Sequence, residues 1–166
     1  LSKRPHSNYT VRKIQMECEL YKSELFNISS IVRLPYVFSY DDRTGRFQDM
    51  CKISINKNRK LLNNKLKFSM ISKSYAVSGL HYLGCHKPCG LIDLSNIGCI
   101  SSFKISEIIY NENYVSSIKN LALEKDSPYL PSKNLCIQTN KVPKSISLVD
   151  AIKYESKLYF KNIGSL

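Results

Sequence analysis

ISSIVRLPYVFSYDDRTGRFQDMCKISIN, residues 28–56, is the stretch from which the architecture of this chain is first read. Between Ile28 and Tyr40 it is rich in β-branched and aromatic residues, which favour strands. Asp41-Asp42-Arg43-Thr44-Gly45 supplies turn chemistry, and Cys51, Ile53 and Ile55 then alternate within Phe47 to Asn56. Two β-rich runs around an Asp/Gly turn predict an antiparallel hairpin. Pro35 cannot donate to a ladder, so it places its part of the first strand at an edge or a bulge.

Upstream, Ile14, Met16, Cys18 and Leu20 alternate with Gln15, Glu17 and Glu19, a period of two that predicts a half-buried strand. Downstream, Phe68, Met70, Tyr75 and Val77 suggest further short strands, and Gly79 to Cys99 reads as a long irregular connection. Ser106 can cap a helix carrying Ile108, Ile109, Val115, Ile118 and Leu121, ending before Ser127-Pro128. Leu135 to Gln138 is a candidate strand. A second helix should follow Pro143, where Ser147 and Asp150 have capping-box spacing and Val149 and Ile152 share a face. Leu158 to Phe160 is a candidate final strand. The expected fold class is α+β, with an antiparallel β-rich N-terminal half and two helices in the C-terminal half.

The 166 residues suit a single domain, expected over residues 1–166, and can bury an adequate core. No run approaches the ~20 apolar residues of a membrane-spanning helix. The chain opens Leu1-Ser2-Lys3-Arg4-Pro5-His6, without Met or an apolar signal core, so it is expected to be processed or part of something longer.

The sequence lacks a phosphate-binding Gly-x-x-x-x-Gly-Lys-Ser/Thr, a Gly-x-Gly-x-x-Gly, a His-Glu-x-x-His and a Gly-x-Ser-x-Gly. Histidines are few (His6, His81, His86) and carboxylates sparse. These absences point away from an enzyme and give no reason to expect a cofactor. His81, Cys85, Cys89 and Cys99 could ligate zinc, but one Cys-x-x-x-Cys standing alone is poor spacing for a structural site, so no metal is expected.

The net charge of +12 is the strongest bulk signal. Such an excess attracts nucleic acid or another polyanion. An AT-rich coding sequence would also yield this abundance of Lys, Asn, Ile, Ser and Tyr. The most basic segment holds Lys57, Arg59, Lys60, Lys65 and Lys67, the candidate nucleic-acid-binding residues; a solvated lysine-rich connection is the plainer alternative.

Six cysteines leave the compartment open. Cys18, Cys51 and Cys136 sit among apolar neighbours, where a reduced thiol behaves as a small buried group. An even count and the cluster at Cys85, Cys89 and Cys99 fit a secreted, oxidised chain instead. Three functional readings follow. The first is a non-enzymatic, intracellular and nuclear domain that binds nucleic acid or chromatin within a larger assembly. The second is a secreted or surface protein that binds host proteins or glycans. The third is a protein–protein module whose charge is incidental.

Overall fold

The computed structural model describes residues 8–42, 45–55, 60–62, 66–113, 121–123, 136, 142 and 146–163. In chain order its elements begin with helix α1 (Asn8–Lys22), a 3-10 turn (Glu24–Asn27) and strands β1 (Ser30–Arg33) and β2 (Tyr36–Phe38). Helix α2 (Arg46–Ile55), β3 (Lys60–Leu62), β4 (Lys67–Phe68), β5 (Met70–Ser72) and helix α3 (Lys73–His86) follow. The remainder is β6 (Gly90–Asp93), β7 (Ile100–Ser101), α4 (Ser102–Glu112), β8 (Leu121–Leu123) and α5 (Leu148–Ile163).

The strands pair at long range. β1 runs parallel to β6, with Ile31 opposite Leu91 and Arg33 opposite Asp93. β2 runs parallel to β5, with Val37 opposite Ile71, and β3 runs parallel to β8. Only β4 and β7 are antiparallel among the described pairs. Parallel neighbours need a long crossover, so helices must intervene between partners.

The expected mixture of helix and strand holds, but the antiparallel N-terminal hairpin is corrected. Residues 46–55 form α2, because Phe47, Met50 and Cys51 recur at helical spacing and all three are buried. Burial of that face outweighs the period-two coincidence of Cys51, Ile53 and Ile55. Pro35 does interrupt the strands, lying between β1 and β2.

The strand expected at Ile14 to Leu20 is likewise the middle of α1. Tyr75 and Val77 lie in α3, whose buried residues Tyr75, Ala76, Gly79 and Leu83 follow a helical period. Much of the supposed irregular connection is therefore α3 and β6. Gly79 is the reason a glycine sits in that helix: a Cβ there would lie 2.8 Å from Leu94 Cδ2, so its absence lets helix and strand approach.

In the C-terminal half, α4 is capped by Ser101 rather than Ser106, which is buried within the helix. That helix ends at Glu112, and Leu121 belongs to β8. The helix expected after Pro143 is α5, and Ser147 Oγ accepts from the Asp150 amide at 3.1 Å as the capping spacing requires. Leu158 to Phe160 continue α5 instead of forming a strand. Of the strand expected at Leu135 to Gln138, only Cys136 lies within the described residues, and it is not in a strand.

The main core joins α2, α4 and α5 to β2, β4 and β5. Phe38 and Phe47, with ring centroids 5.0 Å apart, pack with Met70, Ile105, Ile109, Leu148 and Ile152. A smaller cluster of Ile71, Tyr75, Ala76 and Leu94 binds α3 to β5. Asn96, fully buried, links these parts: its Oδ1 accepts from the Ser72 amide at 2.8 Å, and its Nδ2 donates to the Ile146 carbonyl. No helix among the described residues is long and apolar enough to cross a membrane.

Candidate functional site

α1 and β1 flank a cleft of about 290 Å³. Lys13, Met16, Glu17 and Leu20 line it from α1, and residues 31–34 line it from β1 and the turn after it. Helical spacing explains the first set. Positions 13, 16, 17 and 20 recur every three or four residues and so share a face. The walls are mostly apolar, with charge supplied by Lys13, Glu17 and Arg33.

Arg33 fixes the helix to the strand. Its Nε donates to Glu17 Oε1 at 3.0 Å, and its second guanidinium nitrogen donates to Glu17 Oε2. That fork holds the Glu17 carboxyl below its ordinary range and raises the Arg33 guanidinium, with Asp93 opposite in register adding to the latter. A mostly apolar cleft with a few convergent charges has the character of a small-molecule site.

A second polar cluster lies behind β2. Glu155 of α5 is only 3% exposed, and its Oε2 accepts from the Tyr40 amide at 2.8 Å and from Ser39 Oγ at 3.5 Å. Burial raises its carboxyl above the ordinary range, although those hydrogen bonds pull the other way and Asp41 and Asp42 add repulsion. Gln48 Nε2 donates to the Ser39 carbonyl, and Asp42 Oδ2 accepts from the Ser39 amide. Asp41 in turn pairs with Lys73 at 3.0 Å. This cluster fixes the turn after β2.

The basic residues singled out from the sequence lie elsewhere. Lys60 opens β3, and Lys67 is exposed at the start of β4; Lys57, Arg59 and Lys65 lie outside the described residues. The candidate zinc ligands do not converge. No group of three or more His, Cys, Asp or Glu among the described residues could hold a metal. Cys99 is bonded to Cys136, while Cys85 approaches His81 at 3.9 Å on the surface of α3. Cys136, read among apolar neighbours as a reduced thiol, is thus the partner of Cys99, while Cys85 and Cys89 are free.

No protein-family model and no curated protein sequence matches the chain. Solved structures do. The dTDP-glucose 4,6-dehydratase of Bacillus anthracis, solved in complex with NAD, superposes with a TM-score of 0.72 at 10% identity over 97% of this chain and 54% of its own. The UDP-glucose 4-epimerase of Thermotoga maritima, with UDP-glucose, gives 0.70 at 11% identity over 96% and 55%. A dTDP-4-dehydrorhamnose reductase from Clostridium acetobutylicum gives 0.70 at 13% identity over 95% and 60%. The fold is that of these sugar-nucleotide enzymes. The chain spans about half the length of the structures it matches.

These neighbours overturn the reading of the chain as a non-enzymatic, nuclear, nucleic-acid-binding module. They are reductases, epimerases and dehydratases, and the chain shares their fold. The missing phosphate-loop, zinc-protease and hydrolase motifs misled because they belong to other architectures; the missing Gly-x-Gly-x-x-Gly bears on a dinucleotide cofactor alone. One signal in the sequence went unused: Lys13, Met16, Glu17 and Leu20 share one helical face, a pattern hidden while Ile14 to Leu20 was read as a strand.

Proposed function

We propose that this chain forms the substrate-facing part of an enzyme that acts on a sugar nucleotide, with the α1–β1 cleft as the wall of its site. The observation that carries the proposal is the cleft itself, with Lys13 on its lining in a fold shared with sugar-nucleotide enzymes. A net charge of +12 suits a ligand that carries a pyrophosphate.

The described residues do not fit a dinucleotide cofactor. A pyrophosphate cradle needs a glycine-rich turn between a strand and a helix with free amides at the helix start. Here β5 passes into α3 and β7 into α4 without an intervening glycine, and the caps Ser72 and Ser101 already accept from the amides of Tyr75 and Lys104. No step is therefore routed through such a cofactor.

In this proposal Lys13 meets an anionic oxygen of the ligand from the cleft wall, and the Glu17–Arg33 fork holds α1 in place.

Calorimetric titration of the chain with UDP-glucose, and separately with NAD, tests this assignment. Binding of UDP-glucose that weakens roughly tenfold in Lys13→Ala supports it. No binding of UDP-glucose, or binding that ignores Lys13, overturns it.

A further inference from the structure

Two cations from two elements converge on one carboxylate in the α1–β1 cleft. Glu17 accepts from both nitrogens of the Arg33 fork, and Lys13, one helical turn before it, lines the cleft beside it. Arg33 first, and Lys13 after it, hold the Glu17 carboxyl below its ordinary value of 4.5. Asp93, opposite Arg33 in register, is the other acidic group that acts on the guanidinium. A guanidinium and an ammonium that meet one anion within a concave, mostly apolar lining are the parts of a phosphate site. Here the anion they hold belongs to the protein.

That carboxylate is replaceable. The Arg33 and Glu17 side chains are 44% and 30% exposed, and an ion pair that water screens this far shifts an equilibrium by at most about fivefold. Glu17 also offers a single charge to two cations. A pyrophosphate carries at least two, and presents the guanidinium with the same planar pair of oxygens. Exchange therefore balances Lys13 and Arg33 together, and returns the Glu17 carboxylate to water. A monovalent anion gains nothing by the same exchange, so the arrangement selects a polyphosphate.

We propose that Arg33 is a ligand-binding residue of the cleft and Glu17 its internal competitor, displaced from the guanidinium fork by a pyrophosphate that Lys13 also meets. This rests on the reading of the cleft as a sugar-nucleotide site, and deepens it by naming the pyrophosphate as the group that opens the fork.

Calorimetric titration at pH 7 and low salt with inorganic pyrophosphate, and separately with UDP-glucose, tests the exchange. Glu17→Gln, which lacks the competing charge, should bind pyrophosphate about three- to fivefold more tightly than the wild type. Arg33→Gln should bind it about tenfold more weakly, and in that background Glu17→Gln should gain little. Unchanged or weaker binding in Glu17→Gln overturns the proposal. So does an equal gain in both backgrounds, which would make Glu17 a distant repulsive charge, and so does pyrophosphate that binds nowhere. A measurement on the wild type needs no variant to fold: with saturating pyrophosphate, carbon-13 NMR should show the Glu17 carboxyl titrating back up towards 4.5. A carboxyl that stays at its lowered value overturns the proposal. Pyrophosphate that behaves as described while UDP-glucose fails to bind removes the sugar nucleotide and keeps the exchange. UDP-glucose binding that depends on Lys13 but ignores Glu17→Gln keeps the site and removes the exchange.

Discussion

Arg33 on β1 grips Glu17 on α1 through two parallel guanidinium–carboxylate hydrogen bonds, the Nε–Oε1 bond measuring 3.0 Å. This fork ties α1 to β1 beside the cleft that both elements line. Both side chains are partly exposed, at 44% and 30%, so water screens the pair and its contribution stays small, about 0.5–1 kcal/mol. Arg33→Lys should lose most of that, since a lysine cannot reproduce the planar fork. The folded Glu17 carboxyl titrates below its ordinary value of 4.5. Its stabilisation is thus complete above that value and lost as pH falls through the lowered one. Urea midpoints of wild type and Glu17→Gln should differ at pH 7 and converge as pH falls through the lowered value.

Glu155 has the opposite sign. Burial raises its carboxyl above 4.5, so the folded state binds the proton more tightly than the unfolded chain. Its favourable contribution is complete below pH 4.5 and disappears as pH rises through the raised value. Thermal midpoints recorded from pH 7.5 down to 5 should contain a rising component that Glu155→Gln abolishes. Glu155→Ala should cost about 1–3 kcal/mol, because the part-buried Tyr40 amide loses its acceptor.

Gly45 lies at φ +145°, a conformation that residues with a Cβ rarely adopt. A Cβ there would also come within 2.7 Å of Tyr36 Oη and 3.3 Å of Gln48 Oε1. Gly45→Ala should destabilise the chain by about 1–3 kcal/mol, read from its denaturation midpoint. An unchanged midpoint would show that the turn before α2 is not built as described.

The thiols fall into distinct classes. Cys99 and Cys136 are bonded across 37 residues of sequence, and Cys18, Cys51, Cys85 and Cys89 are free. Titration of the denatured, non-reduced chain should therefore count four thiols. In the native chain Cys51 should resist alkylation, because burial pushes its thiol up to about 12 and little thiolate is present. Reduction of the disulfide should lower stability by roughly 2–4 kcal/mol.

What the sequence revealed was local. The cap at Ser147 and Asp150 was legible because donor and acceptor lie three residues apart. The strand character of residues 30–38 was legible from composition alone. Their partners were not: β1 finds β6 some sixty residues later, and nothing near Ile31 announces Leu91. α2 was misread because Cys51 belongs to both a period-two and a helical pattern, and only the buried neighbours Phe47 and Met50 decide between them. The same error at Ile14 to Leu20 hid the helical face shared by Lys13, Met16, Glu17 and Leu20. The charged segment from Lys57 to Lys67 drew attention because net charge shows in a sequence, whereas a cleft appears only after folding.

The most direct test of the assignment is an amide NMR titration of the chain with UDP-glucose. The account predicts shift changes concentrated in residues 13–20 of α1 and 30–34 of β1, reduced in Lys13→Ala. Changes confined to residues 57–67, or none at saturating ligand, would contradict it.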